Sequence, residues 1–148
     1  MNLLNLNTIT YPEIDPDTVY TGYFAKIPDY KNAGFTSLIA ITAFLPKKLS
    51  FIKKCTDILI DEKPLQLAPD KDILINYKND DNIAKYIRDY ASILSKLDVH
   101  KVYNALKGSI LLCYESSNDF CHRHLITMWL RSHNYKADEY IIERKETF

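Results

Sequence analysis

Residues Ser109–Leu130 read SILLCYESSNDFCHRHLITMWL, and this stretch decides the fold class. Ser109–Tyr114 is a nearly continuous apolar run of strand length, the pattern of an interior strand covered on both faces. Glu115–Phe120 is polar and loop-like. Cys121–Asn134 then reads as a long helix whose packed face is Leu125, Ile126, Met128, Trp129 and Leu130. On that helix His122 falls near the centre of the packed face and Cys121 at its edge. Arg123 lies at the far flank, and His124, Thr127 and Arg131 point away.

Working outward, similar elements alternate along the chain. Thr18–Ile27 is β-branched and aromatic, which suits a strand, and Leu38–Phe44 is a second continuous apolar run ended by Pro46. In Asp81–Leu97 the apolar residues Ile83, Tyr86, Ile87, Tyr90, Ile93, Leu94 and Leu97 fall on one helical stripe, with Asp80 or Asp81 as N-cap. Val99–Lys107 suits a short helix closed by Gly108, and Pro69–Tyr77 another. Tyr140–Glu143 is a candidate last edge strand, and residues 1–17, with Pro12 and Pro16, an irregular lead-in. Strands alternating with helices predict an α/β fold: a single three-layer domain, residues 1–148, with a small mostly parallel or mixed sheet flanked by helices.

The strand–loop–helix motif also concentrates chemistry. In open α/β sheets ligands sit at the C-terminal ends of strands, and a helix start there offers free N–H groups and the positive end of the helix dipole. That field favours a thiolate at Cys121. Arg123 is suited to clamp a phosphate or carboxylate, and Glu115, just past the strand, stands where general acids and bases are found. Each residue also has an ordinary reading. Cys113 and Cys121 can pack as small hydrophobes, His122 can be a bonded core histidine, and Glu115 can cap the loop.

Composition bounds the answer. The chain has 148 residues, 47% of them apolar, with 19 basic and 19 acidic side chains. This supports one globular core and gives no domain-wide basic footprint for nucleic acid. Three cysteines, Cys55, Cys113 and Cys121, are too few and odd in number for a disulfide-stapled secreted domain. The start lacks a signal-peptide pattern, and Leu38–Leu45 and Ile110–Tyr114 are far short of a membrane span. A cytoplasmic setting without membrane contact is the expectation. No cofactor is expected: glycine-rich phosphate loops and Gly-x-Ser-x-Gly are absent, and Cys113, Cys121, His122 and His124 do not have a usual zinc spacing. Residues 30–56 are nonetheless basic, with Lys31, Lys47, Lys48, Lys53 and Lys54 and no acidic residue. They are expected to approach the same sheet end or to form a solvated loop.

Leu111-Leu112-Cys113-Tyr114-Glu115, followed by Asp119-Phe120, Cys121-His122-Arg123 and Trp129-Leu130, resembles the hallmark of a bacterial family known as "domain of unknown function 488". Tyr20-Thr21-Gly22-Tyr23-Phe24 and Leu67-Ala68-Pro69 are similar to one branch of it. The resemblance implies that Cys113, Glu115, Cys121, His122 and Arg123 form one site. Many members carry Thr-Ile-Gly-His-Ser and Asp-Val-Arg where this chain has Thr21-Gly22-Tyr23-Phe24 and Ala40-Ile41-Thr42. If those elements touch the substrate elsewhere in the family, the departure implies a different substrate here.

The expected function is an enzyme of hydrolase or transferase type acting on a nucleotide-like or other anionic small molecule. Glu115, Cys121 and His122 are its candidate catalytic residues, and Arg123, Cys113, Tyr20 and Tyr23 its candidate substrate contacts. The alternatives are a non-catalytic nucleotide or nucleic-acid binding module, of the kind used in phage–host conflict, and a structural zinc domain.

Overall fold

A computed structural model describes residues 7–42, 44–114 and 122–146. After β1 (Asn7–Thr10) the chain forms β2 (Val19–Tyr23), a single 3-10 turn and helix α1 (Ile27–Ala33). Strands β3 (Leu38–Ala40) and β4 (Lys53–Lys54) follow, then a small hairpin of β5 (Leu59–Ile60) and β6 (Lys63–Pro64). Three helices come next: α2 (Lys71–Asp80), α3 (Ile83–Ser95) and α4 (Val99–Leu106). The chain then runs through β7 (Ile110–Cys113), α5 (His122–Ser132), β8 (Ala137–Glu139) and β9 (Glu143–Glu146).

The main sheet has the order β4-β3-β7-β2-β8, and every neighbouring pair in it is parallel. β7 occupies the centre because Ile110–Cys113 is apolar on both sides and all four residues are buried. Leu111 and Cys113 face one layer, with Tyr90 and Leu94 of α3, Val102 and Leu106 of α4, and Ile126 and Leu130 of α5. Ile110 and Leu112 face the other, with Ile27 and Tyr30 of α1, Phe35 and Tyr140. The architecture is thus three-layered α/β. Among the described residues no helix is long and apolar enough to cross a membrane.

Several boundaries differ from the sequence expectation. The strand expected over Thr18–Ile27 ends at Tyr23, because Pro28 sits in the first turn of α1, where its fixed φ and missing N–H suit a helix start. Gly34, at φ 111°, closes that helix in the left-handed region. Leu38–Phe44 contributes only Leu38–Ala40, with Ile41 adding one more hydrogen bond to Leu112. The N-cap of α3 is Asn82, which accepts from the Lys85 N–H at 3.0 Å. Asp80 instead accepts from the Asn82 N–H, and Asp81 takes a positive φ at the end of α2. The last core strand lies at Ala137–Glu139, ahead of the expected Tyr140–Glu143. Nor is the lead-in wholly irregular, since β1 pairs antiparallel with β9 from Asn7↔Glu146 to Thr10↔Glu143.

The second layer is largely aromatic. Tyr20, Tyr30, Phe35 and Tyr140 pack edge to face, with centroid separations from 4.9 to 6.3 Å. Tyr30 is almost fully buried, and its hydroxyl accepts the Tyr23 N–H at 3.2 Å. Burial pushes the Tyr30 hydroxyl up to about 12, since tyrosinate would lose its hydration there. Its folded value therefore lies above its unfolded one. The stabilisation is complete below pH 10 and is lost as pH rises toward 12, to a total of about 2–3 kcal/mol. Tyr30→Phe should cost about 1 kcal/mol at pH 8 through the lost hydrogen bond. The deficit should shrink or reverse between pH 10 and 12 when unfolding is followed across that range. A constant deficit would mean that Tyr30 does not contribute to the alkaline limb.

Candidate functional site

Adjacent parallel strands whose following helices lie on opposite faces of a sheet leave a crevice at their C-terminal ends. β2 leads to α1 on one face, while the chain beyond β7 leads to α5 on the other. The two strands pair directly, and their last registered residues are Tyr23 and Cys113. Those two residues therefore stand at the topological switch point of the sheet.

Arg123, in the first turn of α5, reaches this point. Its side chain is fully buried. Nη1 donates to Cys113 Sγ at 2.7 Å, and Nε donates to Glu139 Oε1 at 2.7 Å. Its guanidinium carbon lies 5.7 Å from the centroid of the Tyr23 ring. Burial alone would make the guanidinium easier to deprotonate, but the Cys113 sulfur and the Glu139 carboxylate outweigh it and raise its basicity. The arginine is a permanent cation at the ends of three neighbouring strands, β7, β2 and β8.

Helix phase misplaced three residues here. Arg123 and Thr127, expected at the flank and pointing away, are both buried, whereas Met128 is 64% exposed. The buried stripe is His122, Arg123, Ile126, Thr127 and Leu130. Thr127 fits on it because its hydroxyl donates to the Arg123 carbonyl one turn earlier, at 3.2 Å. Trp129, expected in the core, is only partly buried against it.

His122 is buried as expected. Its Nε2 lies 2.5 Å from the Ile41 carbonyl oxygen and so carries the proton and donates. Its ring meets Tyr90 edge-on at 5.5 Å. This ties the start of α5 to the end of β3 and commits one ring nitrogen to positioning.

Of the expected site residues, Cys113, His122, Arg123 and Tyr23 gather at the C-terminal ends of the strands. Tyr20 does not. It faces the α1 layer, packs on Phe35 and Tyr140, and its hydroxyl accepts the Asp15 N–H at 2.8 Å. Strand alternation explains this, because neighbours along β2 point to opposite faces. Glu115 and Cys121 lie outside the described residues. The residue that sequence reasoning missed is Glu139. Its signal was a carboxylate two residues after the buried Ala137, hence on the same face, at the end of a strand.

A small cavity of about 90 Å³ opens beside this cluster, lined by Tyr23, Glu139, Lys26, Tyr30, Tyr140 and Ile142 among others. It joins the ion-paired carboxylate to a lysine and three tyrosines. Among the described residues no cluster of three or more His, Cys, Asp or Glu is placed to hold a metal ion. The expected approach of the basic stretch is also revised in part: Lys31 and Lys53 line a different cavity, beside the N-terminal ends of β3 and β4.

Comparison with curated proteins and with solved structures finds no match. Residues 23–134, which run from the end of β2 past α5, match the family DUF488-N3a, described as "Active DUF488-N3 subclade". That span holds Tyr23, Cys113, His122 and Arg123 but not Glu139, and it covers most of the 148 residues. The chain therefore belongs to the DUF488-N3a family.

Proposed function

We propose that the crevice at the ends of β2 and β7 is the active site of a small hydrolase or transferase acting on a nucleotide-like or other anionic small molecule. The observation that carries this reading is the buried Arg123, bonded at once to Cys113 and Glu139 at the switch point. Burying a cation is costly, and apolar side chains could join α5 to the sheet without that cost. Charge placed at strand ends beside a cavity is better explained by a site than by packing. The family's description as an active subclade supports the same reading.

In this reading Arg123 holds Cys113 and Glu139 in place and supplies the positive field of the crevice. Cys121, with the N–H groups at the start of α5, takes the anionic part of the substrate. His122 positions that helix start through Ile41. Glu115, two residues beyond Cys113, is the acid and base. Its carboxylic acid protonates the leaving group as a bond to a glycosidic or phosphate-linked carbon breaks. The resulting carboxylate then takes a proton from the incoming water or acceptor hydroxyl.

Thermal stabilisation by a set of nucleotides and sugar phosphates, followed by chromatography of the mixtures, tests this. One compound should stabilise the protein and be converted. Glu115→Gln should bind it with a similar shift and convert it at least about 100-fold more slowly. Unchanged conversion would remove Glu115 from the mechanism. Binding without conversion by the wild type would make the protein a binding module.

A further inference from the structure

A second cavity lies away from the crevice. It measures about 380 Å³ and is lined by Lys31, Lys53, Thr36, Ser37, Phe51 and Ile52, with Leu38 at its side. Ser37 directly precedes β3, and Phe51 and Ile52 directly precede β4. Because all strands of the sheet are parallel, this is the opposite end of the sheet from Tyr23 and Cys113.

Its chemistry is one-sided. The stretch from residue 30 to 56 holds five lysines and no acidic residue, and neither Lys31 nor Lys53 is in an ion pair among the described residues. Lys31 Nζ stands 4.5 Å from the centroid of the Phe51 ring, which is itself 60% exposed. An ammonium that fixes an exposed ring leaves an aromatic platform beside a positive charge. The hydroxyls add donors. Ser37 Oγ shares a hydrogen bond with Ser109 Oγ at 2.8 Å, and a hydroxyl with one partner keeps further hydrogen-bonding capacity.

We propose that this cavity binds a nucleotide unit, with the phosphate between Lys31 and Lys53 and the base stacked on Phe51. The hydroxyls of Ser37 and Thr36 donate to phosphate or sugar oxygens. A volume of this size lies within the range of small-ligand pockets, and stacking next to lysines is how bases are held without sequence readout. The unit comes either from a free nucleotide or from single-stranded nucleic acid, both of which present this chemistry.

Two titrations of the whole chain separate these sources: adenosine monophosphate by calorimetry, and a labelled eight-nucleotide deoxyadenosine strand by fluorescence anisotropy. A free-nucleotide site binds both with similar affinity per unit, whereas a strand-binding site binds the strand far more tightly. Lys31→Gln with Lys53→Gln should weaken whichever binds by at least about tenfold. For the strand, it should lower the slope of log K against log salt by roughly 0.7 per lysine. Phe51→Ala should weaken the nucleotide by about tenfold and leave inorganic phosphate unaffected.

All three side chains are exposed, so the variants should fold, which circular dichroism verifies. Glu115→Gln should leave this binding unchanged, and the lysine pair should leave conversion at the crevice unchanged, so either site can fail alone. Unaltered affinity in the lysine variant, no binding by the wild type at millimolar ligand, or preference for an acidic peptide such as oligoglutamate would each overturn the proposal.

Discussion

Arg123→Met is expected to lower the unfolding free energy by about 3–5 kcal/mol, the loss typical when one partner of a buried ion pair is removed. Methionine keeps much of the length and all of the apolar contact but none of the donors. Glu139, whose side chain is only 17% exposed, would keep its charge without the guanidinium that holds it, and Cys113 Sγ would lose the Nη1 donor. Total stabilities of small domains are about 5–15 kcal/mol, so the variant should be near the limit of folding at 37 °C. Urea unfolding of Arg123→Met, Glu139→Gln and the double variant measures the coupling. The double variant should be more stable than the sum of the single losses predicts, because it removes the stranded charge along with its partner. Additive losses would show that the pair is not energetically linked. Arg123→Lys should rescue poorly, since an ammonium cannot span Cys113 and Glu139 as the planar fork does.

Gly22→Ala is expected to cost about 3 kcal/mol, although it adds one methyl group. A Cβ on Gly22 would stand 2.3 Å from the Tyr30 hydroxyl oxygen, 2.6 Å from Cζ and 2.9 Å from Cε2. Tyr30 has little room to retreat, since its ring is enclosed by Phe35 and Tyr140. The cost combines overpacking with loss of the Tyr23 N–H bond to Tyr30. In a Tyr30→Ala background the same change should be nearly neutral, because the obstructing ring is gone. An equal cost in both backgrounds would place the strain elsewhere. Glycine is required here for the close approach of a side chain on the next layer, and the position explains why the Tyr-Thr-Gly-Tyr stretch has so small a residue in mid-strand.

The parts of this fold that were legible in the sequence are those fixed by periodicity. β7 could be read because four apolar residues in a row leave no polar face, and α3 because Tyr86, Tyr90 and Leu94 repeat at helical spacing and are all buried. α1 was hidden, because Phe24–Ile27 continues the aromatic, β-branched character of β2, and only Pro28 marks the change. The candidate site was half legible. Cys113 and His122 were placed correctly by strand and helix phase. Arg123 was sent to a flank because patterning treats arginine as polar, whereas two specific partners, Cys113 and Glu139, compensate its burial. Such compensation depends on residues sixteen positions apart in the case of Glu139, which no local pattern contains. Tyr20 failed for the opposite reason: it was grouped with Tyr23 by nearness in sequence, and a strand separates odd from even residues.

The central place of β7 has a consequence for the order in which the chain can fold during synthesis. β2 and β3 are made early, yet neither pairs with the other; each lies against β7, and β2 lies also against β8. Until β7 has emerged, the main-sheet pairing that can form among the described residues is the two-residue contact of β3 with β4. At that stage β2 and the β3–β4 pair are two unfinished edges with a gap between them, and unpaired strand edges invite contact with other chains. The same strand that carries Cys113 to the crevice is the one that closes this gap, and α5 and β8, which bring Arg123 and Glu139, are added to it last.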